Sequence, residues 1–172
     1  GLAPYPLRAD ATTAAWPIDS DARRFERAIT AGRLEEALAL GEQTLADGLD
    51  GGGSEFDAWL HGERERASRR WRGALLHLVG DLPVVTDKAL RWLDRALAED
   101  PLDETLALAR VRCLLGSGQT AAARRAYLGW EQALAAQLGV HPNRPWEQLL
   151  AEQRANTGNA VPPGAGSGAH AL

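Results

Sequence analysis

Apolar residues fall at three- and four-residue spacing along almost the whole chain, and that period restricts it to packed helices. The clearest run is Phe56, Trp59, Leu60, Ala67, Trp71, Ala74, Leu75 and Leu78. Such recurrence gathers one stripe on the side of an α-helix, whereas a half-buried strand needs strict alternation. Alternation with β-branched or aromatic residues comes near only at Tyr5–Leu7 and Val84–Val85, both too short to count as strands. The 172 residues are therefore read as all-α, with about seven helices.

Caps and breakers set the expected boundaries. A first helix starts at Asp19 or Ser20 and runs to about Ala31, with Phe25, Ala28 and Ile29 on one face; Gly32 breaks it. A second, about Leu34 to Ala46, turns Leu34, Ala37, Leu38, Gly41 and Leu45 toward a neighbour. After the loop Gly48–Glu55, Ser54 and Asp57 fit a capping-box variant, and the third helix runs from about Glu55 to Val79. A fourth covers about Val85 to Ala98. Asp100 then serves as cap and Pro101 as the first position of a fifth helix, ended by Gly116-Ser117-Gly118. The sixth reaches Leu138, and a short seventh covers Arg144 to Arg154. Residues 1–18 read as a linker. Residues 155–172 are Gly/Pro/Ala-rich with almost nothing to bury, so they are expected to be disordered. The absence of Met implies that Gly1 is not the native start and that the chain is part of something longer.

A repeat sits inside this pattern. Ala89, Leu93 and Ala96 recur 34 positions later as Ala123, Tyr127 and Trp130. Pro101 follows Ala96 by five residues, and Gly118 stands in an inter-helix turn. The tetratricopeptide repeat has this period and this order of small, large and small residues. Small side chains let two helices approach, and the large one fills the groove between pairs. Trp130 stands where a small residue is usual. A looser first unit has Gly32 in its turn and Ala37 five residues on. The expected architecture is a tetratricopeptide-like stack of antiparallel helix pairs.

Little here suggests catalysis or a cofactor. Cys113 is the single cysteine, which excludes a disulfide framework, and it falls on the stripe Leu102, Leu106, Ala109, Cys113 as a core thiol. His61, His77, His141 and His170 do not pair at metal-binding spacing. Gly48 and Gly53 have P-loop spacing, but Ser54 replaces the lysine, and Asp47, Asp50, Glu55 and Asp57 would repel phosphate. Of the tryptophans, Trp59, Trp71 and Trp130 fall on core stripes. Trp92 lies off its own stripe and is read as covering a neighbouring helix or as an exposed contact. No apolar run suggests a membrane span.

Charge is the feature that points outward. The chain carries a net charge of −4, yet His61–Arg72 holds five Arg and two Glu. Residues 33–57, just before it, hold one Arg and seven acids. Arg66, Arg69 and Arg70 share a helical face, and Glu65 can pair with Arg69 at i,i+4. One reading pairs the basic face with the acidic hairpin; the other makes it a docking face. Arg66, Arg69 and Arg70 are expected to be accessible and to form a candidate protein-contact face. Glu63 sits on the apolar stripe between Leu60 and Ala67, so it needs a partner such as an arginine.

The order of these features resembles the bacterial transcriptional activator domain of antibiotic-regulatory-protein-type regulators. The residues that carry the resemblance are Phe25-Glu26, Trp59-Leu60 with Glu63–Arg66, and Leu138-Gly139-Val140-His141-Pro142, and it covers about Ile18 to Gln153. Tyr5-Pro6-Leu7 looks like the last strand of a preceding winged helix, so residues 1–18 are a linker or its remnant. The extra glycines of Gly48–Ser54, and Gly62 and Gly73 inside the long helix, depart from the family pattern. The resemblance implies a helical regulatory domain over 19–154 in a cytoplasmic, bacterial, DNA-binding transcriptional regulator. It implies contacts with the parent's own upstream DNA-binding domain, with a second copy in a homodimer and with RNA polymerase, and DNA contact only through the missing domain. It brings no catalytic residue, no cofactor and no membrane partner. The competing reading is a tetratricopeptide-like adaptor module of a non-transcriptional signalling protein.

Overall fold

A computed structural model describes residues 8–9, 14–15, 20–42, 53–81 and 86–158. Seven helices account for almost all of them: α1 (Asp21–Thr30), α2 (Leu34–Leu40), α3 (Ser54–Asp81), α4 (Asp87–Glu99), α5 (Glu104–Gly116), α6 (Thr120–Leu138) and α7 (Trp146–Gly158). The protein is all-α, as its apolar period requires. One two-residue antiparallel pairing, β1 (Arg8–Ala9) with β2 (Ala14–Ala15), lies within residues 1–18, the stretch read as a linker or the remnant of a preceding domain. The expectations for Tyr5–Leu7, for Gly48–Gly52 and for residues 159–172 lie outside the described residues, as do Leu45 and Val84–Val85. The chain divides into two units, Gly1–Leu78 and Val79–Leu172.

In the first unit, Ser20 caps α1 by accepting from the Arg23 amide at 3.3 Å. Phe25 and Ala28 are buried on its inner face. Gly32 takes a left-handed conformation, φ 69°. The turn is closed by Arg33 N–H to the Ala28 carbonyl at 2.9 Å and Gly32 N–H to Ile29 at 3.0 Å. This satisfies the orphan carbonyls at the helix end and reverses the chain into α2. Ala37, five residues after the glycine, is fully buried with Leu38. The long helix α3 contributes Leu60, Trp71, Ala74 and Leu75 to the interior.

The second unit repeats that turn. Gly118, φ 73°, is bracketed by Gln119 N–H to Leu114 at 2.8 Å and Gly118 N–H to Leu115 at 3.0 Å, and Ala123 is again fully buried five residues on. The helix α5 is the centre of this unit, packing on α4, α6 and α7 with Leu106, Ala107, Leu108, Val111, Cys113, Leu114 and Leu115 buried. Trp130 is accommodated in the core, where Tyr127 meets it edge-on at 6.0 Å. Tyr127 also lies 5.9 Å from Trp146 and donates its hydroxyl to the Arg144 carbonyl at 3.0 Å, which seats the start of α7. Glu152 of α7 sits 3.8 Å from both Arg112 and Arg144.

Several boundaries and one stripe differ from expectation. The cap of α5 is Asp103, which accepts from the Leu106 amide at 3.0 Å. Asp100 ends α4 instead, its N–H bonded to Ala96, and Pro101 lies in the intervening turn. Ser54 is the first helical residue of α3 and follows Gly53 at φ 100°, so it is not the cap. The helix α7 starts after Pro145 and runs four residues past Arg154, so 155–158 are helical. Phe56 and Trp59, read as core, are exposed at 36% and 55%. The three-four spacing fixes which way a stripe points but not how far the neighbouring helix extends to cover it. Trp92, off its stripe, is buried, with the Lys88 ammonium 4.7 Å from its ring centre.

Candidate functional site

The basic face is built on the middle of α3, where the buried stripe of Leu60, Trp71 and Ala74 orients the opposite side toward solvent. Side chains of Arg66, Arg69 and Arg70 are 56%, 68% and 53% exposed, so the structure leaves all three accessible. Each also has a carboxylate beside it. Arg66 makes a two-point contact with Glu63, its Nε donating at 3.4 Å and its Nη2 donating to the other oxygen. Arg69 lies 3.6 Å from Glu65, at the i,i+4 spacing read from the sequence, and His61 lies 3.3 Å from the same carboxylate. Arg70 reaches across to Glu26 of α1 at 2.5 Å.

The three arginines thus divide by geometry. Arg66 and Arg69 hold acids of their own helix, contacts that solvent weakens and that a partner can compete for. Arg70 ties α3 to α1. None of these three pairs reaches a described acid of 33–57, the partners that the first of the two charge readings offers, and Asp47 and Asp50 lie outside the described residues. Glu63 is the stripe carboxylate that required an arginine, and it has one; the hydrogen bond from Arg66 holds its pKa below the usual carboxylate range. The same contact raises that of Arg66.

The sequence reading missed the aromatic pair at the start of α3. Phe56 and Trp59 lie with ring centres 5.6 Å apart in solvent, flanked by exposed Glu55 and Asp57. The signal that bears on it is Gly53, directly before the helix, which carries no side chain to lay over the first turn. Elsewhere, Cys113 is 5% exposed and burial pushes its thiol up to about 11, the environment of an inert core thiol. Among the described residues no group of three His, Cys, Asp or Glu is placed to hold a metal ion. No helix among them is long and apolar enough to cross a membrane.

Residues 18–152 match the family model of the bacterial transcriptional activator domain. No curated protein and no solved structure gave a significant match. The family match spans well over half of the chain, and the chain belongs to the bacterial transcriptional activator domain family.

Proposed function

We propose that this member of the bacterial transcriptional activator domain family is the helical regulatory and interaction domain of a DNA-binding regulator. It supports dimerisation and transcription activation through protein–protein contacts. DNA is read by an upstream domain of the parent, with which this domain makes contact, and RNA polymerase is a further partner. The observation that carries the reading is the exposed Arg66–Arg69 surface in the Glu-Arg-rich stretch of α3, inside the family match. A net charge of −4 with balanced local pairing suits contact with proteins better than phosphate neutralisation.

The test is a reporter whose promoter carries an operator for a known DNA-binding domain, to which this chain is fused. Activation by the wild type, lost when Arg66 and Arg69 are both changed to Glu and helicity is retained, supports the reading. A fusion that binds its operator without raising transcription overturns it.

A further inference from the structure

The outward side of α3 is a polar sequence of charges running along one line. At 100° per residue, Glu55, Trp59, Gly62, Arg66 and Arg69 fall within a narrow arc on the side away from the buried Leu60, Trp71 and Leu75. Acid stands at the N-terminal end, a half-exposed tryptophan next, glycine at the middle and two arginines at the C-terminal end. Glu55 has no ion-pair partner among the described residues.

Gly62 needs an account of its own. A glycine inside a helix costs about 1 kcal/mol relative to alanine. No described residue requires it here: among them an added Cβ would meet only the Arg66 guanidinium, at 3.9 Å. Its effect is a shallow notch beside the exposed indole of Trp59, where a second helix can come close.

We propose that two copies of this chain associate through this face, α3 against α3, antiparallel about a two-fold axis at Gly62. In that register Glu55 of each copy lies opposite Arg69 of the other. The Trp59 ring of each falls between Glu65 and Arg66 of its mate, and the two glycines meet. The fifteen-residue stretch from Glu55 to Arg69 spans about 21 Å, enough for both charge pairs to form at once. A parallel pairing would set Glu55 on Glu55 and Arg69 on Arg69. A purely acidic partner is repelled at one end and a purely basic one at the other, so the surface is complementary to its own reverse. That is the property of an isologous interface. A single helix pair belongs to the small, weak class of interfaces, with Trp59 as its anchor.

This gives the dimerisation part of the proposed function a surface, and rests on that part alone. The experiment is sedimentation of the full 172-residue chain across the micromolar range, with circular dichroism on every variant. The wild type is expected to rise from its monomer mass of 18.5 kDa toward twice that value. Glu55→Arg and Arg69→Glu should each weaken association by about tenfold or more, and Trp59→Ala should abolish it. An equimolar mixture of the two charge variants should recover it, because both contacts are complementary in the mixed pair. A mixture no tighter than either variant alone overturns the proposal, as does a wild type monomeric throughout. A monomeric wild type whose Trp59→Ala variant loses reporter activation overturns it in favour of a different protein on the same face. All of these are readings of mass or of one face, and activation by the wild-type fusion remains a separate measurement.

Discussion

The indole N–H of Trp71 donates to the carbonyl oxygen of Leu38 at 2.9 Å, joining the middle of α3 to the last turn of α2. Carbonyls in the last turn of a helix have no partner within it. The indole supplies one where water is excluded, since Trp71 and Leu38 are both buried. It reaches that position only because residue 41 is glycine: a Cβ there would clash with Trp71 Cδ1 and come within 3.3 Å of Phe25.

Two substitutions separate the hydrogen bond from the close approach. Trp71→Phe keeps an aromatic ring but leaves the Leu38 carbonyl buried without its donor, and should cost roughly 1–3 kcal/mol. Gly41→Ala adds a methyl group where the indole already lies, and should cost roughly 1–3 kcal/mol by overpacking. Because both act on one contact, the double variant should be less destabilised than the sum. Urea unfolding of the four proteins tests this; strict additivity would show that Trp71 and Gly41 are energetically independent.

Leu93 is fully buried in α4, at the large position of the repeat. Leu93→Ala should lower stability by about 2–5 kcal/mol. Trp59→Ala, which removes a larger but exposed side chain, should change monomer stability by no more than about 0.5 kcal/mol. Thermal unfolding at low protein concentration compares the two directly, and a larger loss at Trp59 would contradict the arrangement of α3.

The Glu26–Arg70 pair joins α1 to α3 with both side chains about half exposed. Its worth is therefore that of a surface pair, ~0.2–1 kcal/mol. A double-mutant cycle with Glu26→Gln and Arg70→Gln should return a coupling in that range and shrink in high salt. A coupling of zero at low salt would mean the pair does not tie the helices together in solution.

How much of this was legible in the sequence depends on the range of the interaction. The two glycine turns could be read because their determinants are local: Gly32 and Ala37, then Gly118 and Ala123, stand five apart in both units. The Glu65–Arg69 pair was equally local. Asp100 and Asp103 were not distinguishable by composition, since both are good caps; Pro101 favoured the wrong one, and only the length of α4 decides. Phe56 and Trp59 share the period of the buried residues, so the sequence could not show that these two side chains are exposed. Arg70 had several acids within reach on paper. Its choice of Glu26 on α1 is a contact between residues far apart in sequence, which no spacing rule encodes.

Cys113 makes a prediction about pH and reactivity together. Burial raises its thiol from 9.0 to about 11, which means the folded chain holds this proton where the unfolded chain releases it. Between those values the native state binds more protons than the unfolded state, so the stabilisation is complete below about pH 9 and is lost as pH rises through 11. Tyr127, also raised chiefly by burial, acts in the same direction. Chemical denaturation at increasing alkalinity should therefore show falling stability across this window, and Cys113→Ala should remove the thiol's share of the fall. At neutral pH the native protein should resist a thiol-specific reagent, with labelling appearing only at denaturant concentrations that unfold α5. Rapid labelling of the folded protein would show that the thiol reaches solvent, and the assignment of Cys113 to the core would fall with it.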